Sequence, residues 1–314
     1  MFLHEHPNFS DLIRIVAAEK NIIPQLIEKD YWIMHCLYGL TQQGFDFELK
    51  GGTSLSKGYG IIHRFSEDID IRINPTCCDT INVKIGKNHD KPAHNQSRKI
   101  FYDWLAENIA IPGIVDVSRD EAFDDEKYRS GGIRLSYESH LESIGGLKQG
   151  ILLELGFDDT APNEAVTISS WTYEQASNTS LGLEDNRAVD IKCYHPGFTF
   201  VEKLQTVSTK FRQQQADNTF PINFLRHYYD IYCLLSNDMV LDFIGTEKYH
   251  ERKQVRFRQG DNQAIAENEA FLLTDPETRQ MYIKEYLKSE SLYYQSQPPF
   301  VDILQRIQEN IEHL

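Results

Sequence analysis

The stretch Lys50-Gly51-Gly52-Thr53-Ser54-Leu55-Ser56-Lys57, followed by Arg64-Phe65-Ser66-Glu67-Asp68-Ile69-Asp70-Ile71, decides how this sequence is read. Asp68 and Asp70 alternate with Ile69, Ile71 and Ile73, the period of a strand with one polar and one apolar face. Carboxylates two residues apart on a strand project from the same side. Side by side they repel, unless a divalent cation sits between them. Mg2+ (or Mn2+) takes carboxylates together with substrate phosphate oxygens. The glycines of the Gly51-Gly52-Thr53-Ser54 turn let backbone N–H groups approach a phosphate closely, and a helix start behind them favours an anion. Each half is common alone. In this order and spacing, with strand signals on both sides, they describe a phosphate cradle feeding a two-carboxylate metal site, which polyphosphate chemistry requires.

Two better-known phosphate motifs do not fit. A P-loop needs glycine immediately before its lysine, which Lys57 lacks, and Gly58 stands where Ser or Thr should hold Mg2+. The G-x-G-x-x-G spacing of a dinucleotide fold is absent.

Outward from this stretch, the chain reads as mixed and then helical. Residues 9–40 carry apolar residues at helical spacing, with Ser10 and Asp11 as candidate N-caps and a break at residues 21–24. Residues 45–50 read as a strand, 55–62 as a short helix, and 97–109 as a helix. Residues 131–139 and 150–157 read as two strands, with Gly145-Gly146 as a hairpin turn between them. Further strands are expected at 167–173 and 189–194. Helices are expected at 200–211, 224–235, 271–287 and 300–313, with a polar, basic and mobile segment at 248–263. The expected fold is α+β, a mixed sheet flanked by helices with a helical C-terminal domain. The domains are 1–197 and 198–314, divided where the pattern changes.

Composition excludes several classes. Of 314 residues, 40% are hydrophobic and 25% charged, ordinary globular values that exclude wholesale disorder and coiled coil. With 32 Lys and Arg against 47 Asp and Glu, the net charge is −15. Nucleic acid or nucleotide must therefore be met by local cations or bound metal. Two basic clusters are available: Lys84, Lys87, His89, Lys91, Arg98 and Lys99, and Lys248, His250, Arg252, Lys253, Arg256 and Arg258. No apolar run approaches the ~20 residues of a membrane span. Five scattered cysteines without a CxxC pair, and no basic-apolar leader, read as a reduced, cytoplasmic protein without membrane attachment.

The glycine turn followed by Asp68-Ile69-Asp70 resembles the signature of the DNA polymerase β-type nucleotidyltransferase superfamily. More closely it is similar to the AbiEii/AbiGii toxin family of type IV toxin–antitoxin and abortive-infection systems. Glu28-Lys29-Asp30-Tyr31-Trp32 resembles that family's N-terminal helix, and the run from Arg64 to Asp70 resembles its R-x-S-x-D-x-D. Phe200-Val201-Glu202-Lys203-Leu204 resembles the E-K-L helix. Arg226-His227-Tyr228-Tyr229-Asp230 resembles the R-D-x-Y-D-L motif, with His227 where many members carry an acid. The likeness spans residues 28–235.

It implies a nucleotidyltransferase-like fold that moves NMP from an NTP to an RNA acceptor, the 3′ end of tRNA among the candidates. It also implies a separately encoded AbiEi-like antitoxin. Asp68, Asp70, Lys203 and Asp230 are expected to be catalytic, the last two contributed by the C-terminal domain. Gly51, Gly52, Thr53, Ser54, Lys57, Arg64 and Ser66 are expected around the nucleotide, with Arg64 and Ser66 holding phosphate or pinning the loop. Asp68, Asp70 and Glu154, an acid inside the apolar run Leu152-Leu153-Glu154-Leu155, are expected at the metal. The alternatives are kinase-like transfer of the γ-phosphoryl group to RNA or protein, and a non-catalytic nucleotide- or RNA-binding module.

Overall fold

In the computed structural model, Asp68–Ile73 is a strand, β2, and its apolar residues are buried while Asp68, Asp70 and Arg72 are half-buried. The structure describes residues 1–86, 88–142, 149–179, 182–221 and 223–314. Among these the chain forms one seven-stranded mixed sheet and twelve helices, the α+β architecture expected from the sequence. It divides into two compact units, Met1–Gly58 with Phe65–Tyr194, and Tyr59–Arg64 with His195–Leu314.

The first unit holds helices α1 (Phe9–Lys20) and α2 (Pro24–Gln42), strand β1 (Phe47–Lys50), the helical turn α3 (Gly51–Thr53), β2, α4 (Pro92–Asn108), β3 (Ile114–Arg119), β4 (Ser130–Tyr137), β5 (Ile151–Gly156), β6 (Asn163–Ile168), α5 (Trp171–Ser177) and β7 (Ala188–Tyr194). Strand order is β3-β4-β5-β2-β1-β7-β6. β2 runs parallel to β5 and antiparallel to β1, with Asp70 opposite both Glu154 and Lys50. Ile69, Ile71, Ile133, Leu135, Leu153 and Leu155 share one sheet face and are buried. Each fully buried Ile or Leu contributes about 1.5–3 kcal/mol. α2 covers this face by stacking Trp32 on Tyr137, and α4 places Tyr102 against Gly131. The opposite face carries Glu48, Lys50, Asp68, Asp70, Arg72 and Glu154.

The second unit holds α6 (Pro196–Asp217), α7 (Arg226–Leu234), α8 (Asp238–Leu241), α9 (Glu247–Arg256), α10 (Glu269–Leu272), α11 (Pro276–Leu287) and α12 (Phe300–Asn310). Its core is aromatic, built around Tyr228, Tyr282, Tyr286 and Phe300.

Several local expectations are corrected. α1 has Asn8 at its N-cap, with Ser10 and Asp11 already in the helix. The short helix starts at Gly51 and ends at Gly58 in π geometry. Residues 167–173 are the end of β6 and the start of α5. The Ser170 hydroxyl accepts from the Tyr173 N–H and so caps a helix. β3 was not expected. It is an edge strand, half-exposed along its length, so its apolar signal is weak. α4 begins at Pro92, five residues before the apolar pattern. Residues 271–287 form two helices, separated where Leu273 turns left-handed at φ +43° and Pro276 starts the next. α9 occupies much of the segment expected to be mobile; its Tyr249 and Lys253 are buried. The Gly145-Gly146 turn lies outside the described residues, while β4 and β5 pair antiparallel as a hairpin would.

The N-terminal turn closes on a buried polar network. His35 Nε2 donates to the Pro112 carbonyl at 2.8 Å, and Asn186 Nδ2 donates to His35 Nδ1 and the Tyr31 hydroxyl at 2.8 and 3.0 Å. The Tyr31 hydroxyl in turn donates to His4 Nδ1 at 2.8 Å. Burial, reinforced by His35, pushes His4 down to about 4. The unfolded chain therefore binds more protons than the fold between about pH 6.5 and 4, and stability falls as pH drops through that window. Parent protein should lose urea-midpoint stability from pH 7 to pH 4.5, and His4→Gln should flatten the loss. Fluorescence of Trp32, whose ring centroid is 4.8 Å from that of His4, reports the change.

Candidate active site

β1, β2 and β5 together write a row of charges across the polar sheet face: Lys50, Asp70 and Glu154 occupy laterally paired positions on three adjacent strands. Lys50 Nζ lies 3.4 Å from Asp70 Oδ1. Asp68 sits two residues earlier on the same face, paired in register with Leu152. The glycine turn follows β1 directly. Gly51 has φ +72°, and a Cβ added there would stand 2.8 Å from Asp70 Oδ2. Glycine is required twice over, by the backbone angle and by the closeness of the carboxylate. Thr53 Oγ1 donates to the Asp68 carbonyl at 2.5 Å, fixing the turn to the strand. The structure thus brings Gly51, Thr53, Asp68, Asp70 and Glu154 together in one unit. Gly51→Ala should cost about 1–3 kcal/mol from the strained backbone. The methyl also meets Asp70, and the fall in the urea midpoint measures the combined loss.

These donors suit a hard cation. Mg2+ is ordinarily held by one or two carboxylates and completed by water and substrate phosphates, not by an all-protein cage. Among the described residues no trio of His, Cys, Asp or Glu forms such a cage. The close approach of Gly51 to Asp70 leaves backbone rather than side chain beside the carboxylate, as a phosphate-bearing ligand needs.

Lys57 and Ser54 follow in the same short helix. Lys57 Nζ is 2.7 Å from Asp30 Oδ1 and 4.8 Å from the Trp171 ring centroid. Ser54 is buried against the sheet side, whereas Gly52 and Ser66 are half-buried. Lys29 and Asp30, which as neighbours on a helix read like an ordinary exposed pair, are 2% and 1% exposed.

A second cluster lies wholly in the C-terminal unit. Asp230 on α7 is 0% exposed. Arg64 grips it from two sides, Nε to Oδ1 and Nη2 to Oδ2, both at 2.7 Å. Lys203 on α6 adds a contact at 2.9 Å. Burial alone would raise the Asp230 carboxyl, but the Arg64 and Lys203 charges overcome it and hold it far below the usual carboxylate range. Burial pushes the Lys203 ammonium down, against the pull of Asp230. Lys203 Nζ and Lys210 Nζ each lie 3.4 Å from a ring nitrogen of His227, at Nδ1 and Nε2. A neutral imidazole has one acceptor nitrogen and can receive from only one of them. Burial and the two lysines hold His227 well below its ordinary value. The cluster is thus rich in cations around a single carboxylate, an environment that suits an anion. Arg64 is committed to Asp230 through both Nε and Nη2.

Several tyrosines of the C-terminal unit are internal. Tyr228 and Tyr229 are core residues. The Tyr293 backbone bridges Arg64, and the Tyr294 hydroxyl donates to the Ile62 carbonyl at 3.0 Å. The basic clusters are partly internal. Arg98 is buried and donates to the Lys127 and His89 carbonyls at 2.9 and 3.0 Å, Lys99 pairs with Asp103, and Arg252 and Arg256 share Glu202. Lys87 lies outside the described residues. Lys91, Lys248, His250 and Arg258 remain exposed. A cavity of about 450 Å³ is lined by Leu241, Asn310 and His313 together with His250 of the second basic cluster, and by none of the expected catalytic or metal residues. Sequence reasoning missed Lys50 and Lys210. Lys50 carried a signal, since it immediately precedes the paired glycines on a strand whose neighbour is the Asp-x-Asp.

A family model described as nucleotidyl transferase AbiEii toxin, Type IV TA system, matches residues 35–306. No curated protein and no solved structure matches the chain. Among the described residues no helix is long and apolar enough to cross a membrane.

Proposed function

We propose a reaction for a chain that belongs to the AbiEii family of nucleotidyl transferase toxins of type IV toxin–antitoxin systems: Mg2+-dependent transfer of NMP from an NTP to an RNA acceptor, the tRNA 3′ end being the first to test. The observation that carries it is the row Lys50, Asp70 and Glu154 with Gly51 packed against Asp70. In the reaction an acceptor hydroxyl loses its proton, its oxygen bonds to the α-phosphorus, and pyrophosphate leaves. A divalent ion held by Asp68 and Asp70, with Glu154 in register on the neighbouring strand, would supply charge stabilisation for the attacking and leaving oxygens.

The chain's own groups then have separate duties. Backbone N–H groups of Gly51, Gly52 and Thr53 would donate to phosphate oxygens at the helix start, while the Ser54 N–H turns back onto the Gly51 carbonyl. Lys50 offsets charge next to Asp70. Lys203, held by Asp230, is the cation of the C-terminal unit that would compensate negative charge, and Arg64 keeps Asp230 in place. With no disulfide among the described residues, and NTP as substrate, the cytoplasm is the proposed setting, with a separately encoded antitoxin as partner.

The experiment is a screen of the four NTPs, each labelled at the α- or γ-phosphate, against bulk tRNA and total RNA with Mg2+, Mn2+ or EDTA. Incorporation of α-label only, abolished by EDTA, is expected. Incorporation of γ-label would replace the reading with phosphoryl transfer. NTP binding without any turnover would replace it with a binding module.

A further inference from the structure

We infer that Asp30 and Lys29 of α2 are positioning residues that hold the glycine-turn helix and the head of β2 in register. Three consecutive charges, Glu28, Lys29 and Asp30, are 1%, 2% and 1% exposed, in a stretch of α2 that is otherwise apolar and buried. Successive helical residues point about 100° apart, so each meets a different segment. Glu28 accepts from the Ser139 hydroxyl and the His140 N–H at 2.6 and 2.9 Å. Lys29 Nζ reaches Glu67 Oε2 at 3.2 Å. Asp30 takes Lys57 on Oδ1 at 2.7 Å and the Trp171 N–H on Oδ2 at 2.8 Å.

Two of these contacts bracket the proposed site. The chain leaves the first unit after Gly58 and returns at Phe65. Lys57 stands just before the departure, and Glu67 stands just after the return, next to Asp68. Both are held by adjacent residues of one 19-residue helix. Between them, the Thr53 hydroxyl on the Asp68 carbonyl closes the frame. The loop that departs is therefore stapled at both ends to a single rigid rod. The position of Gly51 against Asp70 depends on that staple.

Stability does not explain the charges. Buried ion pairs are often replaceable by apolar residues of similar volume without loss, because desolvation offsets the attraction. What apolar residues cannot supply is direction. A carboxylate with two oxygens committed to two different segments fixes both distances at once. The cation–π contact of Lys57 with Trp171, whose N–H is the other Asp30 donor, ties the same three groups into one unit.

The test compares Asp30→Asn, Lys57→Met, Lys57→Arg and the double variant Asp30→Asn/Lys57→Met in the full chain. Two readouts are taken: kcat and KM for NTP incorporation, and hydrogen exchange of the amides of residues 51–58. Asp30→Asn and Lys57→Met should each lower kcat at least tenfold, move KM less than threefold, and speed exchange in 51–58 at least tenfold. The double variant should be no worse than either single one, and Lys57→Arg should restore most of the rate. Parent-like kcat and exchange in Asp30→Asn would overturn the inference. So would an additive double variant, which would mean that Lys57 acts on substrate independently of Asp30. The activity arm rests on the nucleotidyl-transfer reading; the exchange arm does not. If the parent protein incorporates no label, that reading fails while exchange at 51–58 still decides the staple.

Discussion

Replacing Asp70 by asparagine should cut nucleotide incorporation by about a thousandfold, equivalent to ~4 kcal/mol of transition-state stabilisation. Asparagine keeps the shape and loses the charge. On the polar sheet face Asp70 is paired in register with Glu154 and stands two residues from Asp68, so its neighbours on that face include like charges. Removing one relieves repulsion while a partly exposed contact to Lys50 is lost, and such pairs are worth little. The melting temperature of Asp70→Asn should therefore stay at or slightly above that of the parent as activity disappears. A calorimetric titration of NTP with Mg2+ should show weaker binding that no longer depends on the metal. Equal incorporation by the variant and the parent would remove Asp70 from the chemistry and with it the metal site.

The strand and turn around Asp70 are legible in sequence because their signals are local. Alternation of Asp68, Ile69, Asp70 and Ile71 needs only neighbours to be read, and β2 runs over those positions. The half-buried row is also partly legible, since Glu154 interrupts an apolar run. Burial of Lys29 and Asp30 is not. Their partners Glu67, Lys57 and Trp171 are 38, 27 and 141 positions away, and a charged pair on a helix looks solvated until those segments fold over it. The same holds for Arg98, whose partners are loop carbonyls at Lys127 and His89. β3 escapes for the opposite reason. As an edge strand it is covered on so little of its surface that Val115 and Val117 sit among Asp116, Ser118 and Arg119 without a buried face. At residues 167–173 a strand pattern and a Ser170 cap compete, and the cap wins because β6 has already ended at Ile168.

Asp230 governs the other large effect, on stability. Its carboxylate is the common partner of Arg64 and Lys203, both almost wholly buried. Asp230→Ala leaves two cations in a dry interior, and removing one partner of a buried pair costs about 3–5 kcal/mol. The urea midpoint should fall by about 1–2 M. Trp32, Trp104 and Trp171 are the three tryptophans and all lie in the N-terminal unit, so their fluorescence follows that unit, whereas helical circular dichroism sums both units. Tryptophan fluorescence then reads whether the two units unfold together. Because the folded carboxyl lies far below its ordinary range, its contribution is complete above about pH 4 and is lost only in strong acid. Removing all three charges at once, with Arg64→Met, Lys203→Met and Asp230→Leu, should lose less stability than Asp230→Ala alone, since no charge is left unpaired by the loss of its partner. Activity should nonetheless be absent from that triple variant, because Lys203 is gone. A loss below about 1 kcal/mol in Asp230→Ala would mean that water reaches the cluster, and the buried triad would not be the clamp that holds Lys203.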